Sequence, residues 1–176
     1  FNDQYKMLYN RRELKDVRKM TDKDYTPGGM TALLDAVGRT IHKMDMVSGI
    51  HRKDKGNKVL FVIITDGEEN DSREYTYADV KKLIKDRQEN AGWEFIFLGA
   101  NIDAVAAAEN LGIDRDRAVK YKNTGSGVRA NFKAVAELSD SLAKSGRVSD
   151  EWKETVEKDE DDAADKQSAA VTSHRR

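Results

Sequence analysis

Val59-Leu60-Phe61-Val62-Ile63-Ile64-Thr65-Asp66-Gly67-Glu68 is the stretch that decides the fold. Its first six residues are apolar, mostly β-branched or aromatic, and do not alternate with polar ones. Such a run reads as a strand buried on both faces, as in a parallel sheet covered by helices on either side. It breaks off in Thr-Asp-Gly-Glu, which sets a carboxylate at the carboxyl end of what reads as a central strand. Ligands of open α/β sheets bind along that edge, so Asp66 is the first candidate functional residue.

Working outward, the next signal upstream is Tyr25-Thr26-Pro27-Gly28-Gly29-Met30-Thr31, which contains the only proline of the chain. Pro-Gly-Gly reads as a tight loop. From Ala32 on, Leu33 or Leu34, Val37, Ile41 and Met44 recur at helical spacing, which places Thr31 at or beside a helix start. Phe1 to Tyr9 reads as a strand end, a turn and a half-exposed edge strand, and Arg12 to Asp24 as a charged connection. Ser48 to Asn57 is a basic loop leading into the strand.

Downstream, Glu68 to Thr76 reads as a polar loop and Ala78 to Asn90 as an amphipathic helix with Val80, Leu83 and Ile84 inward. Trp93 to Leu98 is a second buried strand, followed by an alanine-rich helix from Asp103 to Leu111. Arg117 to Tyr121 is a short edge strand. Ser126 to Ala143 is a helix expected to bury Val128, Phe132, Val135, Leu138 and Leu142. Strands alternating with helices predict an α/β fold, a three-layer α/β/α sandwich around a mostly parallel, doubly wound sheet. The expected boundaries are a domain over 1–148 and a charged, frayed or disordered tail over 149–176. In that tail, from Asp150 on, acidic residues outnumber basic ones nine to five and only Trp152 and Val156 offer much to bury.

The 176 residues carry a net charge of −1, which favours neither nucleic acid nor a membrane surface as partner. No apolar run approaches the ~20 residues of a membrane span. The absence of cysteine excludes disulfides, thiolate catalysis and Cys-ligated zinc, and fits a cytoplasmic location. His42, His51 and His174 are far apart in unrelated contexts. Thr124-Gly125-Ser126-Gly127 lacks a following lysine and reads as a turn with a helix cap rather than a phosphate loop.

Thr31 and Asp66 supply a hydroxyl and a carboxylate, hard oxygen donors suited to Mg²⁺ or Mn²⁺ with several retained waters. The bland alternatives are a helix N-cap for Thr31, a turn acceptor for Asp66 and a favourable charge at the helix N-terminus for Asp35.

Thr26-Pro27-Gly28-Gly29-Met30-Thr31-Ala32-Leu33, followed by Phe61-Val62-Ile63-Ile64-Thr65-Asp66-Gly67-Glu68-Glu69, resembles a von Willebrand factor A domain of the stand-alone bacterial or phage type. The resemblance covers roughly residues 1 to 145. It implies a metal-ion-dependent adhesion site in which Thr31 coordinates the cation, directly or by exchange with water. Asp66 would act through water, and a partner's acidic residue would complete the shell. Gly29, Gly67, Glu68 and Glu69 would then form the rim that a protein partner touches. The family's Asp-x-Ser-x-Ser is absent, so the resemblance implies a domain without its N-terminal strand and a metal site that is weak or incomplete in this chain. The implied function is a cation-dependent protein-binding module, not an enzyme, with no small-molecule substrate. The alternatives are a metal-independent interaction scaffold and, behind it, a Mg²⁺-dependent hydrolase or phosphotransferase.

Overall fold

The computed structural model describes residues 1–21, 23–24, 28–48 and 58–158. The expected Pro27 turn and nearly all of the basic loop over 48–57 lie outside the described residues. The chain is α/β. Helix α1 (Leu33–Ser48) precedes strand β1 (Leu60–Thr65), followed by α2 (Tyr77–Ala91), β2 (Glu94–Gly99), α3 (Ala104–Asn110), β3 (Ala118–Lys120) and α4 (Gly125–Ser145). The three strands form an open parallel sheet in the order β1-β2-β3.

Among the described residues, the strand expected to be central, β1, pairs on one side only, and β2 lies between β1 and β3. Phe95, Ile96, Phe97 and Leu98 are fully buried, whereas Leu60, Phe61 and Val62 are half-buried and Ile64 is 36% exposed. Composition could not separate the two strands, because both are continuous apolar runs; the number of paired neighbours does. The edge strand expected within Phe1–Tyr9 is also absent, and this segment is irregular. Its contacts run to the loops and to α1, with Ala32 N–H donating to Asn2 O at 3.2 Å and the hydroxyls of Thr40 and Tyr5 3.2 Å apart.

Strand alternation sends odd and even residues of β1 to opposite faces. On one face, Phe61 and Ile63 join Phe95 and Phe97 under α1, α2 and α3, where Leu33, Val37, Ile41, Val80, Ile84 and Leu111 close the core. Phe61, Trp93 and Phe95 stack there, Phe61 and Phe95 with ring centres 5.2 Å apart. On the other face, Leu60 and Val62 continue a layer made by Ile96, Leu98, Val119 and Tyr121 beneath α4. Thr76 begins α2 in a capping box with Asp79, and Gly92 ends it in the left-handed conformation.

One expectation is corrected on that second face. Helix α4 buries Gly127, Asn131, Ala134, Leu138 and Leu142, so its register is rotated from the expected one, and Val128 and Phe132 point outward. Gly127 explains the rotation: a Cβ at this position would collide with the Lys122 carbonyl, so only a hydrogen fits where the helix meets the preceding turn. The described part of the chain beyond 148 continues along the same face. Val148, Trp152 and Val156 are buried in the α4-side core, and 150–158 is ordered in short helical turns. Residues 159–176 lie outside the described residues. Among the described residues no helix is long and apolar enough to cross a membrane.

Trp152→Ala should lower unfolding stability by about 3–5 kcal/mol, the usual cost of emptying a buried aromatic site. Urea unfolding measures it, and a change within about 0.5 kcal/mol would place Trp152 in a solvated tail instead.

Candidate functional site

The carboxyl ends of all three strands finish in polar residues: Asp66 after β1, Asn101 after β2 and Asn123 after β3. They converge. Asn123 Nδ2 donates to Asp66 Oδ2 at 3.3 Å, and Asn101 Nδ2 lies 3.5 Å from the Asp66 carbonyl. Asn101 sits in the left-handed region, at φ 58°, which asparagine tolerates better than most residues. Neither asparagine stands out in the sequence; a polar residue shortly past the end of each strand was the available signal.

Thr31 reaches the same place from the other side. Its hydroxyl lies against Gly67, where an added Cβ would come within 3.4 Å of Oγ1. Its backbone is tied to the loop after β1: Thr31 N–H donates to Asn70 Oδ1 at 2.8 Å, and its carbonyl accepts from Asn70 and Asp71 at 3.0 and 3.3 Å. Thr31 and Asp66 line one open groove of about 500 Å³, together with residues of the N-terminal segment such as Asn2 and Lys6. Asp24, also on this groove, is occupied by Arg18 and Thr21; the Arg18 hydrogen bond above all holds its carboxyl well below the usual range.

The free amides at the start of α1 are taken by the loop after β1: Leu34 N–H donates to Glu69 Oε2 at 2.9 Å and Asp35 N–H to Ser72 Oγ at 3.1 Å. The Thr31 hydroxyl caps nothing among the described residues. Glu69, expected on the rim, is engaged with the helix start. Its Oε1 also accepts from the amides of Asp71 and Ser72, and Oε2 accepts from the Ser72 hydroxyl, so its carboxylate is turned inward onto the helix N-terminus.

Asp35 completes this clamp from the helix side. Its buried carboxylate accepts from three successive amides, Arg73 at 3.1 Å, Glu74 at 2.9 Å and Tyr75 at 3.0 Å. Burial pushes its carboxyl up, but the three amide donors, helped by Arg39, outweigh it and the net displacement is downward. Arg39 itself pairs with Glu74 at 2.7 Å.

The remaining rim candidates divide. Gly29, at φ 89°, is pressed against the side chains of Asn2 and Asp3 and shapes the loop that carries Thr31. Gly67 leaves room for the Thr31 hydroxyl. Glu68 is exposed and faces a neighbouring groove with Asn101, Asp103 and Lys120.

A divalent cation would find in this groove two oxygen donors of the right kind, Thr31 Oγ1 and the Asp66 carboxylate. Among the described residues no group of three or more His, Cys, Asp or Glu side chains could hold a metal ion. The donors thus fit a hard cation in chemistry but leave most of an octahedral shell to water or to a ligand from outside. Comparison with protein-family models, curated proteins and solved structures finds no match.

Asp35→Ala, which strands three amides, should cost on the order of 3 kcal/mol or more in urea unfolding. Because the folded carboxyl lies below its unfolded value of 3.8, this stabilisation is fully present above that value. It is lost as pH falls through the lower folded value, so the gap between wild type and variant should narrow below about pH 4. A gap that is constant across that range would show that the charge of Asp35 is not what holds the loop.

Proposed function

We propose that the chain is a von Willebrand factor A-like, divalent-cation-dependent protein-binding module, built around Thr31 and Asp66. The observation that carries the reading is that the Thr31 hydroxyl, freed from helix capping by Glu69 and Ser72, shares a groove with the Asp66 carboxylate at the carboxyl edge of the sheet. Thr31 offers a neutral oxygen to the ion. Asp66 offers charge, steadied by Asn123. Mg²⁺ or Mn²⁺ would supply the Lewis-acidic centre for a partner carboxylate, while Asp35 and Glu69 hold the loop after β1 against the start of α1.

The alternative, a metal-independent interaction scaffold, draws on the shortage of protein donors in the groove. Isothermal calorimetry separates the two. Mg²⁺ or Mn²⁺ added to the chain should release a saturable heat that Thr31→Ala and Asp66→Ala both abolish, with circular dichroism unchanged. Equal heats in wild type and both variants would rule out this site. No heat in the wild type would leave the scaffold reading.

A further inference from the structure

At the amino end of the sheet, opposite the edge that carries Thr31 and Asp66, lies an open cavity of about 1270 Å³. It is bordered by α2, the start of β2, the end of α3 and the helical turns Arg115–Arg117 and Asp150–Lys153. Lys153 lines it and is half-buried. The side chain is not a loose surface lysine: Nζ donates to the Arg115 carbonyl at 2.7 Å, which fixes the nitrogen beside the turn that leads into β3.

Four charged groups act on this nitrogen. Burial pushes the ammonium down; the carboxylates of Asp116 and Glu157 oppose that, the guanidiniums of Arg115 and Arg117 add to it, and the net displacement is downward. Arg117 is paired with Glu94 at 3.5 Å. Arg115 is exposed and has no ion pair among the described residues, so its guanidinium is open to an anion entering the cavity. Two other lysines serve as contrasts. Lys158 Nζ donates to Glu154 at 2.9 Å, which pushes its ammonium upward, and Lys81 lines the same cavity but is exposed and lies along Gly112.

We infer that Lys153 is a modification site, an amine nucleophile that takes an acyl group from a small acyl phosphate held by Arg115. A lysine amine is activated by desolvation and by neighbouring cations, and Lys153 has both. A guanidinium matches the oxygens of a phosphate in a bidentate way. The neutral amine attacks the acyl carbonyl, a C–N bond forms and the carbonyl C–O bond to phosphate breaks. The amine proton passes to the departing group, which leaves as hydrogen phosphate. No oxidant or further reactant is needed. The amide product keeps one N–H on Nζ, so the hydrogen bond to the Arg115 carbonyl, and with it the tie between the two helical turns, survives the modification.

The test uses acetyl phosphate on the whole chain at mildly alkaline pH, with peptide mass spectrometry following acetylation at each lysine. Lys153 should react roughly threefold or more faster than Lys81 and Lys158. Its rate should level off at lower pH than that of Lys158, because its ammonium is displaced downward and that of Lys158 upward. Arg115→Gln removes an exposed guanidinium and leaves the carbonyl that holds Lys153. It should slow acetylation of Lys153 by acetyl phosphate roughly threefold or more while leaving its acetylation by uncharged p-nitrophenyl acetate unchanged. Reaction at Lys153 no faster than at Lys81 would overturn the proposal. So would a pH profile shared with Lys158, or an equal loss with both acyl donors in Arg115→Gln, which would give Arg115 a structural role only.

Discussion

The Asp35 carboxylate holds the structure's functional edge together. A parallel strand ends without a hairpin to brace the chain beyond it, so the eleven residues between β1 and α2 must be fixed by something else. Three successive amides of that loop turn into one carboxylate on α1, and Glu69 on the loop returns the arrangement by receiving a free amide of α1. Each partner removes an unsatisfied set of donors from the other: the helix N-terminus loses its orphan amides and the loop loses its own. The charge on Asp35 is stabilised by the three N–H groups that it satisfies. Loop and helix end are therefore one unit, and Thr31 and Asp66 sit on its two halves.

Much of this architecture could be read from patterns of one or two periods. The helices over 33–48 and 77–91 and the strands over 60–65 and 94–99 follow from apolar spacing, and Thr31 and Asp66 from their places next to a glycine loop and at a strand end. Features that depend on neighbours distant in sequence escaped. Two equally apolar strands cannot be ranked as edge and centre without knowing which has two partners. The rotation of α4 is set by one backbone contact, Gly127 against Lys122 O, that no periodicity along the helix contains. The inward turn of Glu69 likewise depends on α1, 35 residues away.

In the stretch after 148, charge and burial divide between two sides. Val148, Trp152 and Val156 are spaced four residues apart like one side of a helix. Those three residues fill the α4-side core, and acidic neighbours can surround them because only one side of the segment touches the domain. A net count of charge describes the solvated side of such a segment and is silent about the other.

Gly38 and Tyr75 illustrate how the clamp restricts sequence. The Tyr75 ring lies directly on Gly38, so that a Cβ there would fall 2.6 Å from the ring, and its hydroxyl meets His42 Nδ1 at 3.0 Å one turn further along α1. Glycine in mid-helix costs about 1 kcal/mol relative to alanine. Here that cost is tied to an aromatic ring 37 positions away. The two positions form a coupled pair: a side chain can return to 38 only when a smaller group replaces the ring at 75. Among relatives of this chain, helix propensity at 38 and bulk at 75 should therefore trade against each other.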